Sequence, residues 1–143
     1  MQPPSSPFLR LTDMSNRQHA CIDLARRTAA AASDSPCFRH GAVLTMSGRV
    51  ISSAANTSKH SAFGMRFRLP GLGDATRHAE VSCILGIDRS LTEGATVFVV
   101  RINKEGLLRM SRPCRMCQEC MRFVGIKEVI YSIDPEHFGS LRL

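Results

Sequence analysis

The spacing of apolar residues predicts a helix followed by a hairpin in the first part of the chain. Small and apolar side chains recur every three or four residues over 16–32, and Ser15 with Gln18 forms a capping box before them, as is typical of a helix N-terminus. Two apolar runs, at 41–46 and 49–54, are separated by a Ser-Gly pair. Because such a pair favours a tight turn, these runs are predicted to be two antiparallel strands.

The middle of the chain has no clear periodicity over 57–76 and is predicted to be a long irregular loop. It mixes basic and aromatic residues and leads into Arg77: Lys59, His60, Phe63, Arg66, Phe67 and Arg68. Such residues could bind a phosphate and stack on a base, or they could form a solvated loop anchored by its phenylalanines; the pattern leaves both open. A helix is predicted over 77–88, with Thr76 as its N-cap and four core-facing side chains: Val81, Ile84, Leu85 and Ile87.

The last part of the chain alternates strand and helix in this order: strand 96–102, loop 103–112, helix 113–125 and strand 126–133. The tail from Phe138 to Leu143 is a candidate fifth strand. Strands joined by crossover helices form parallel pairs, so a largely parallel sheet is expected after the hairpin. The prediction from the element order is an α/β fold.

Composition narrows the class of protein. With 143 residues, 43% of them apolar, the chain has the size of one domain and the material for a core. The net charge of +7 favours an anionic partner, although it also serves solubility. No apolar run is long enough to span a membrane, and residues 1–10 lack a secretory pattern. We expect a flexible tail at 1–14 and a single domain at 15–143.

Two short motifs carry the candidate chemistry. His78-Ala79-Glu80 is an H-x-E motif, and Pro113 to Cys117 reads P-C-x-x-C. One histidine and two cysteines are the ligand types of a catalytic Zn²⁺ site, which keeps its fourth position for water. Glu80 would then be an ionisable group beside that water. Cys114 and Cys117 are three residues apart, so in the first turn of a helix they share a face where N–H groups favour thiolates.

The cysteines and His40 also allow other interpretations. Cys114 and Cys117 alone could form half of a structural zinc site or a redox pair, and Cys120 could be a fourth ligand, although a buried packing role is favoured. His40 could be a metal ligand or a substrate contact, although a structural role is favoured. Six cysteines without an export signal indicate metal or redox chemistry in a reducing, cytoplasmic compartment. Cys21 and Cys83 lie on apolar helix faces and are expected in the core.

With these motifs the chain resembles the cytidine and deoxycytidylate deaminase superfamily, which includes the tRNA adenosine deaminases. The resemblance covers residues 16–133 and rests on both zinc motifs, on the run from Arg39 to Val43, on Asn56 and on the run from Val124 to Tyr131. It implies a cytidine deaminase-like three-layer α/β/α fold with a mixed, about five-stranded sheet. It also implies Zn²⁺ as cofactor and a zinc-dependent hydrolase that deaminates a nucleobase.

The resemblance also implies site residues. His78, Cys114 and Cys117 would hold zinc, and Glu80 would be the catalytic acid and base. Substrate contacts would come from a sugar-binding asparagine and two backbone groups: Asn56, the Ala79 N–H and the carbonyl near Ser111. Independently of the resemblance, the basic loop offers Arg66 and Arg68 as candidate contacts to a substrate phosphate. Family members usually assemble, so a homo-oligomer is expected.

Three departures from the family pattern bear on function. The first zinc ligand is a histidine, as in deoxycytidylate and nucleic-acid deaminases, whereas small cytidine deaminases usually have cysteine. A glycine-rich effector segment is not evident around Asn56, and little chain follows Ile133.

These features leave three functional hypotheses. The leading one is a deaminase of free cytosine nucleotides or nucleosides, similar to deoxycytidylate deaminase in nucleotide metabolism. The alternative is a nucleic-acid deaminase acting on cytosine or adenine in single strands. The third, a catalytically silent zinc module, is disfavoured because a structural zinc has no use for Glu80.

Overall fold

The structure is a computed structural model that describes residues 8–35, 38–71 and 75–143. The strands are β1 (Phe8–Arg10), β2 (Arg39–Met46), β3 (Arg49–Ala55), β4 (Thr57–His60), β5 (Thr76–Arg77), β6 (Thr96–Ile102), β7 (Leu108–Arg109), β8 (Glu128–Ser132) and β9 (His137–Arg142). The α-helices are α1 (Asn16–Ala32), α2 (Ala62–Met65), α3 (Ala79–Ile84), α4 (Arg89–Thr92) and α5 (Arg115–Phe123). A single 3-10 turn, Leu11–Asp13, precedes α1.

The main sheet has the order β1-β9-β8-β6-β2-β3, and β7 pairs with the end of β6. The β6–β8 pair is parallel, because α5 carries the chain back between them, while the other pairs of this sheet are antiparallel. The sheet is therefore mixed, as expected, but the prediction of largely parallel pairing after the hairpin was wrong. A tight turn accounts for the antiparallel β8–β9 pair: Asp134 accepts the N–H groups of Glu136 and His137, so β9 returns directly beside β8.

Helices cover both faces of the sheet, which confirms the three-layer α/β/α arrangement. On one face α1 packs through buried side chains against Val43, Phe98 and Ile130: Cys21, Ile22, Ala25 and Ala29. On the other face α3 and α5 pack against alternate residues of the same strands, including Val97 and Val99. Cys21 and Cys83 are both buried, as predicted.

Several sequence predictions match the structure closely. Helix α1 has the predicted bounds and its Ser15–Gln18 capping box. The hairpin, the central strand at 96–102 and the candidate strand in the C-terminal tail are all present as β2, β3, β6 and β9. These elements have long apolar patterns or distinctive caps, so their local sequences are sufficient to specify them.

The segment 57–76 differs from the predicted irregular loop. Its ends form β4 and β5, which pair in a small antiparallel sheet, and Ser61 caps α2 by accepting the N–H of Gly64 at 2.9 Å. Pairing between residues so far apart along the chain leaves no local periodicity to detect. Gly73 lies outside the described residues, as do Pro36 and residues 1–7 of the predicted tail.

Three other boundaries were also wrong. The predicted helix at 77–88 is shortened to α3, because His78 rather than Thr76 is the N-cap and the helix stops before Gly86, whose φ of 75° is left-handed. A separate short helix, α4, begins at Arg89. Leu85 consequently lies past the helix end and is 42% exposed. The loop 103–112 contains β7, and residues 8–14 are not a loose tail, since β1 pairs with β9 and Met14 is buried.

Candidate metal centre and active site

Two helix N-termini bring the H-x-E and P-C-x-x-C motifs together. His78 follows β5 with extended backbone angles and is the N-cap of α3. Cys114 has the same role in α5, and Cys117 lies one turn further along that helix. Pro113 precedes the helix instead of beginning it as predicted. The proline still favours this geometry, since its fixed φ directs the chain into the cap.

The three predicted zinc ligands form one compact cluster. The Nδ1 atom of His78 lies 3.1 Å from Sγ of Cys117 and 3.6 Å from Sγ of Cys114. All three ligand atoms lie within 4.8 Å of one another. Zinc bonds of about 2.0–2.3 Å in a tetrahedron separate nitrogen and sulfur ligands by about 3.4–3.8 Å. One nitrogen and two sulfurs at these distances fit Zn²⁺ with one position left for a reactant.

The ionisation of the two thiols also fits a metal site. Hydrogen bonding from Cys117, helped by His78, lowers the pKa of Cys114 to about 4. The same Cys114–Cys117 contact, with burial, raises the pKa of Cys117. The pKa of His78 is raised, chiefly by its hydrogen bond to Cys114. Metal binding requires both thiolates, so loading of this cluster should release the proton that Cys117 holds.

Glu80 lies beside the cluster without being part of it. It is the second residue of α3 and only 4% exposed. Burial is the main cause that raises the pKa of its carboxyl group. Such a carboxyl group, poised between proton donor and acceptor, is what general acid–base chemistry requires.

A cavity of about 260 Å³ opens onto this cluster. Its described lining consists of aromatic, hydroxyl, imidazole, amide, thiol and charged groups: Phe38, His40, Asn56, Thr57, Thr76, His78, Glu80, Ser111, Arg112 and Cys114. Glu80 is the one carboxylate in this described lining. Among the predicted substrate contacts, Asn56 and Ser111 therefore reach the cavity.

Asn56 organises one wall of the cavity. Its Oδ1 accepts the His40 N–H at 3.0 Å and the Ser33 hydroxyl at 2.6 Å, while its Nδ2 donates to the Phe38 carbonyl at 2.7 Å. Both acceptor positions of Oδ1 are thus used, and one N–H of Nδ2 is available for a ligand. This network also holds Phe38 and His40 in the lining.

Ser111 is a buried residue of the cavity lining. Its hydroxyl lies within hydrogen-bonding distance of the Val99 carbonyl at 3.0 Å and of the Ser132 hydroxyl at 2.8 Å. Because its side chain bonds to the protein, only its backbone carbonyl would be free to meet a substrate. Ala79 is fully buried at the start of α3 and is not part of the described lining.

The two arginines predicted from the basic loop are not part of the described lining of this cavity. The guanidinium carbon of Arg66 lies over three aromatic rings, 5.8 Å from Phe63, 5.6 Å from Phe67 and 4.8 Å from Phe123. Arg68 lines an adjacent groove of about 300 Å³ that also reaches His78 and Cys114. The loop phenylalanines pack on Phe123 of α5, and Arg66 lies with them outside the described cavity lining. Arg68, in contrast, lies close to two of the zinc ligands through the adjacent groove.

The structure adds cavity residues that sequence reasoning did not assign. His40, for which a structural role was favoured, lines the cavity, and burial lowers its pKa. Phe38, Thr57, Thr76 and Arg112 were not considered as contacts. Arg112 could have been found from its place directly before the P-C-x-x-C motif, whereas Phe38 reaches the site only through the Asn56 network.

Comparison with known proteins agrees with this geometry. A model of the cytidine and deoxycytidylate deaminase zinc-binding region matches residues 15–133. The chain belongs to this family. The matched region contains His78, Glu80, Cys114 and Cys117, so the family's zinc-binding region coincides with the side-chain cluster. Comparison with curated proteins gave no match.

Solved structures confirm the deaminase fold. Two structures of Acinetobacter baumannii RibD, form 1 and form 2, match with TM-scores of 0.50 and 0.51 and 18% sequence identity. Each match covers 80% of this chain but only 27% of the RibD chain. The similarity therefore concerns the fold of one part of RibD. In the described part of this chain, no helix has the length and hydropathy needed to cross a membrane.

Proposed function

We propose that this protein is a zinc-dependent hydrolytic deaminase of a cytosine nucleotide or nucleoside. The reaction converts cytosine and water into uracil and ammonia. The observation that carries the proposal is the buried Glu80 carboxyl group beside the His78, Cys114 and Cys117 ligand atoms in one cavity. A purely structural zinc site would have no use for a carboxyl group that is buried in the protein and lines a cavity beside the metal ligands.

The chain's own residues perform the proton transfers. Zinc, when bound by the three ligands, would lower the pKa of a water molecule in the cavity. As water oxygen bonds to C4 of the base, the Glu80 carboxylate takes a water proton and delivers it to ring N3. Glu80 would then carry the proton of the hydroxyl group now on C4 to the departing amino group, which leaves as ammonia as the C4–N bond breaks and the C4 carbonyl forms. Glu80 ends ionised, ready for another cycle.

Three groups are proposed to position the substrate. The second N–H of Asn56 Nδ2 would donate to a sugar hydroxyl. The Oδ1 atom of Asn56 already accepts two hydrogen bonds and would not accept a third from the sugar. The backbone carbonyl of Ser111 and the N–H of Ala79 would hold the polar edge of the base. These assignments follow from the resemblance and from the wall positions of Asn56 and Ser111.

The test is ammonia release by zinc-loaded protein from a substrate panel. The panel contains cytidine, deoxycytidine, their 5′-monophosphates, the adenine counterparts and single-stranded oligonucleotides. Conversion of at least one free cytosine substrate to its uracil product, lost on metal chelation and restored by zinc, is expected. Turnover of adenine substrates alone would overturn the proposed base.

The alternative is a nucleic-acid base deaminase, and one observation favours it. Phe63, Phe67 and the 48% exposed Phe123 form an aromatic cluster, with ring centroids 5.4–6.1 Å apart, that Arg66 covers. Exposed rings beside a cation can stack on the bases of a single strand. If this alternative holds, Phe123→Ala should weaken oligonucleotide binding and leave mononucleotide turnover unchanged.

Wider properties are proposed on the same basis. The catalytic domain would span residues 15–143, with β1 added to the edge of its sheet. A homo-oligomer is proposed from the family resemblance, and light scattering after size-exclusion chromatography would show a monomer if this is wrong.

The five cysteines among the described residues are unpaired thiols, which supports a reducing, cytoplasmic compartment.

A further inference from the structure

Arg112 is the one arginine in the described lining of the catalytic cavity, and the fold holds it there. Its Nη1 donates to the hydroxyl of Tyr131 at 3.3 Å, and its guanidinium carbon lies 5.8 Å from the centroid of that ring. Tyr131 is 5% exposed and belongs to the core. Arg112 is therefore an exposed cation at the cavity, oriented by a buried aromatic residue.

A second arginine lies close to the same cavity. In β6, Val97, Val99 and Arg101 alternate, and the two valines pack on the face covered by α3 and α5. Arg101 therefore points to that face, beside its β2 partner His40. Its guanidinium carbon lies 4.9 Å from the centroid of the cavity-lining Phe38 ring.

Neither arginine has an ion-pair partner in the part of the chain that the structure describes. Within 8–35, 38–71 and 75–143, no carboxylate forms an ion pair with Arg101 or Arg112. The Nε atom of Arg101 is buried without a hydrogen-bond partner. A buried donor left unpaired is costly, and guanidinium groups match phosphate oxygens through paired N–H donors. An anion with several acceptor oxygens would therefore match the N–H donors that the two arginines offer at this end of the cavity.

We propose that Arg112, supported by Arg101, binds the phosphate of a cytosine mononucleotide, which makes this protein selective for nucleotides over nucleosides. The proposal rests on the proposed deaminase function and narrows its substrate class. It also relocates the phosphate contact, which the sequence pattern had assigned to Arg66 and Arg68.

The phosphate could come from a mononucleotide or from the backbone of a single strand, and the cavity favours the mononucleotide. Its volume of about 260 Å³ is below the roughly 300–1,000 Å³ typical of drug-sized ligand pockets, so one nucleotide would occupy it. The aromatic cluster that would bind further nucleotides has its own cation, Arg66, which is not in the described lining.

The experiment compares kcat/KM of zinc-loaded protein for deoxycytidine, deoxycytidine monophosphate and an oligonucleotide with one cytosine. Arg112→Gln should lower kcat/KM for the monophosphate about 10- to 100-fold, as loss of a hydrogen-bonded charge does, mainly through KM. Because deoxycytidine has no phosphate, its kcat/KM should fall much less. Arg112→Lys should retain part of the preference, since it keeps the charge without the paired donors.

The matched control is Arg49→Gln, which removes the same charge at the far end of the β2–β3 hairpin, where Arg49 is exposed. It should behave as wild type. Tyr131→Phe is a second variant: it keeps the ring and removes only the hydroxyl that orients Arg112. It should raise KM for the monophosphate several-fold and leave KM for deoxycytidine unchanged.

Two results would overturn the proposal. One is an equal loss of kcat/KM for deoxycytidine and its monophosphate in Arg112→Gln, which would mean a structural role. The other is that the wild-type protein deaminates the oligonucleotide but not the monophosphate. Arg112 would then bind the phosphate of a polynucleotide.

A separate measurement distinguishes failure of this proposal from failure of the proposed deaminase. Calorimetric titration of zinc-loaded protein with inorganic phosphate should show binding that Arg112→Gln weakens and Arg49→Gln does not. If no substrate is deaminated but this difference is present, the anion subsite stands and the deaminase assignment fails. Equal phosphate binding by wild type and Arg112→Gln would refute the subsite, whatever the protein deaminates.

Discussion

Glu80→Gln is the substitution that tests the proposed chemistry most directly. Glutamine has nearly the same shape as glutamate, so the change leaves no void in α3 and removes only the ability to carry a proton. The zinc ligands His78, Cys114 and Cys117 are untouched. We therefore expect normal zinc content and a large loss of kcat.

The structure sets the size of that loss. Proton transfer by a positioned side chain contributes about 10²- to 10⁴-fold to the rate. Glu80 is 4% exposed and is the one carboxylate in the described cavity lining. No second carboxylate of that lining could therefore take over its proton transfers. We expect kcat to fall about 10³-fold or more, which corresponds to about 4 kcal/mol in the activation barrier.

The Glu80→Gln substitution should not reduce the stability of the fold. Burial raises the carboxyl pKa of Glu80 in the folded protein, so above the unfolded-state pKa the ionised group destabilises the fold. Glutamine removes that penalty at neutral pH, and the free energy of unfolding should not fall. This prediction is checked by urea unfolding of the metal-free protein at pH 7.

The assay is steady-state ammonia release from the best cytosine substrate, with zinc content measured on the same samples. His40→Gln is the matched control, because His40 is the other titratable cavity residue outside the Glu80 and zinc-ligand set. It should reduce the rate far less than Glu80→Gln. A Glu80→Gln protein with full zinc and more than about a tenth of wild-type kcat would refute the assigned role.

Three further predictions concern the metal, the fold and the cavity wall. Cys114→Ala should lose zinc by metal analysis, while Cys120→Ser should keep it because Cys120 is not in the ligand cluster; the reverse pattern would contradict the assigned ligands. Gly41→Ala should lower the unfolding free energy by about 3 kcal/mol or more in urea, since its Cβ would overlap the carbonyl oxygen of Ala25 in α1. Asn56→Ala should raise KM and destabilise the protein by about 1–3 kcal/mol, because it leaves the His40 N–H unpaired; unchanged KM would exclude Asn56 as a substrate contact.

The zinc centre could be predicted from the chain because its chemistry is encoded in short segments. His78 and Glu80 are two residues apart, and Cys114 and Cys117 are three apart, so each half-site is formed within one helical turn. The same locality explains why α1, with its Ser15 cap, was predicted at its observed bounds. Residue type and spacing suffice where the interacting groups are close in sequence.

The substrate side of the cavity depends on contacts between distant residues, and there the sequence was a poor guide. Arg66 and Arg112 are both arginines beside aromatic residues. Packing decides where each cation lies: Arg66 lies over Phe123, and Arg112 lies over Tyr131 at the cavity. Asn56 likewise acts through His40, 16 residues away along the chain. A side chain's direction is set by the sheet face and the neighbours that cover it, and these exist only once the strands have paired.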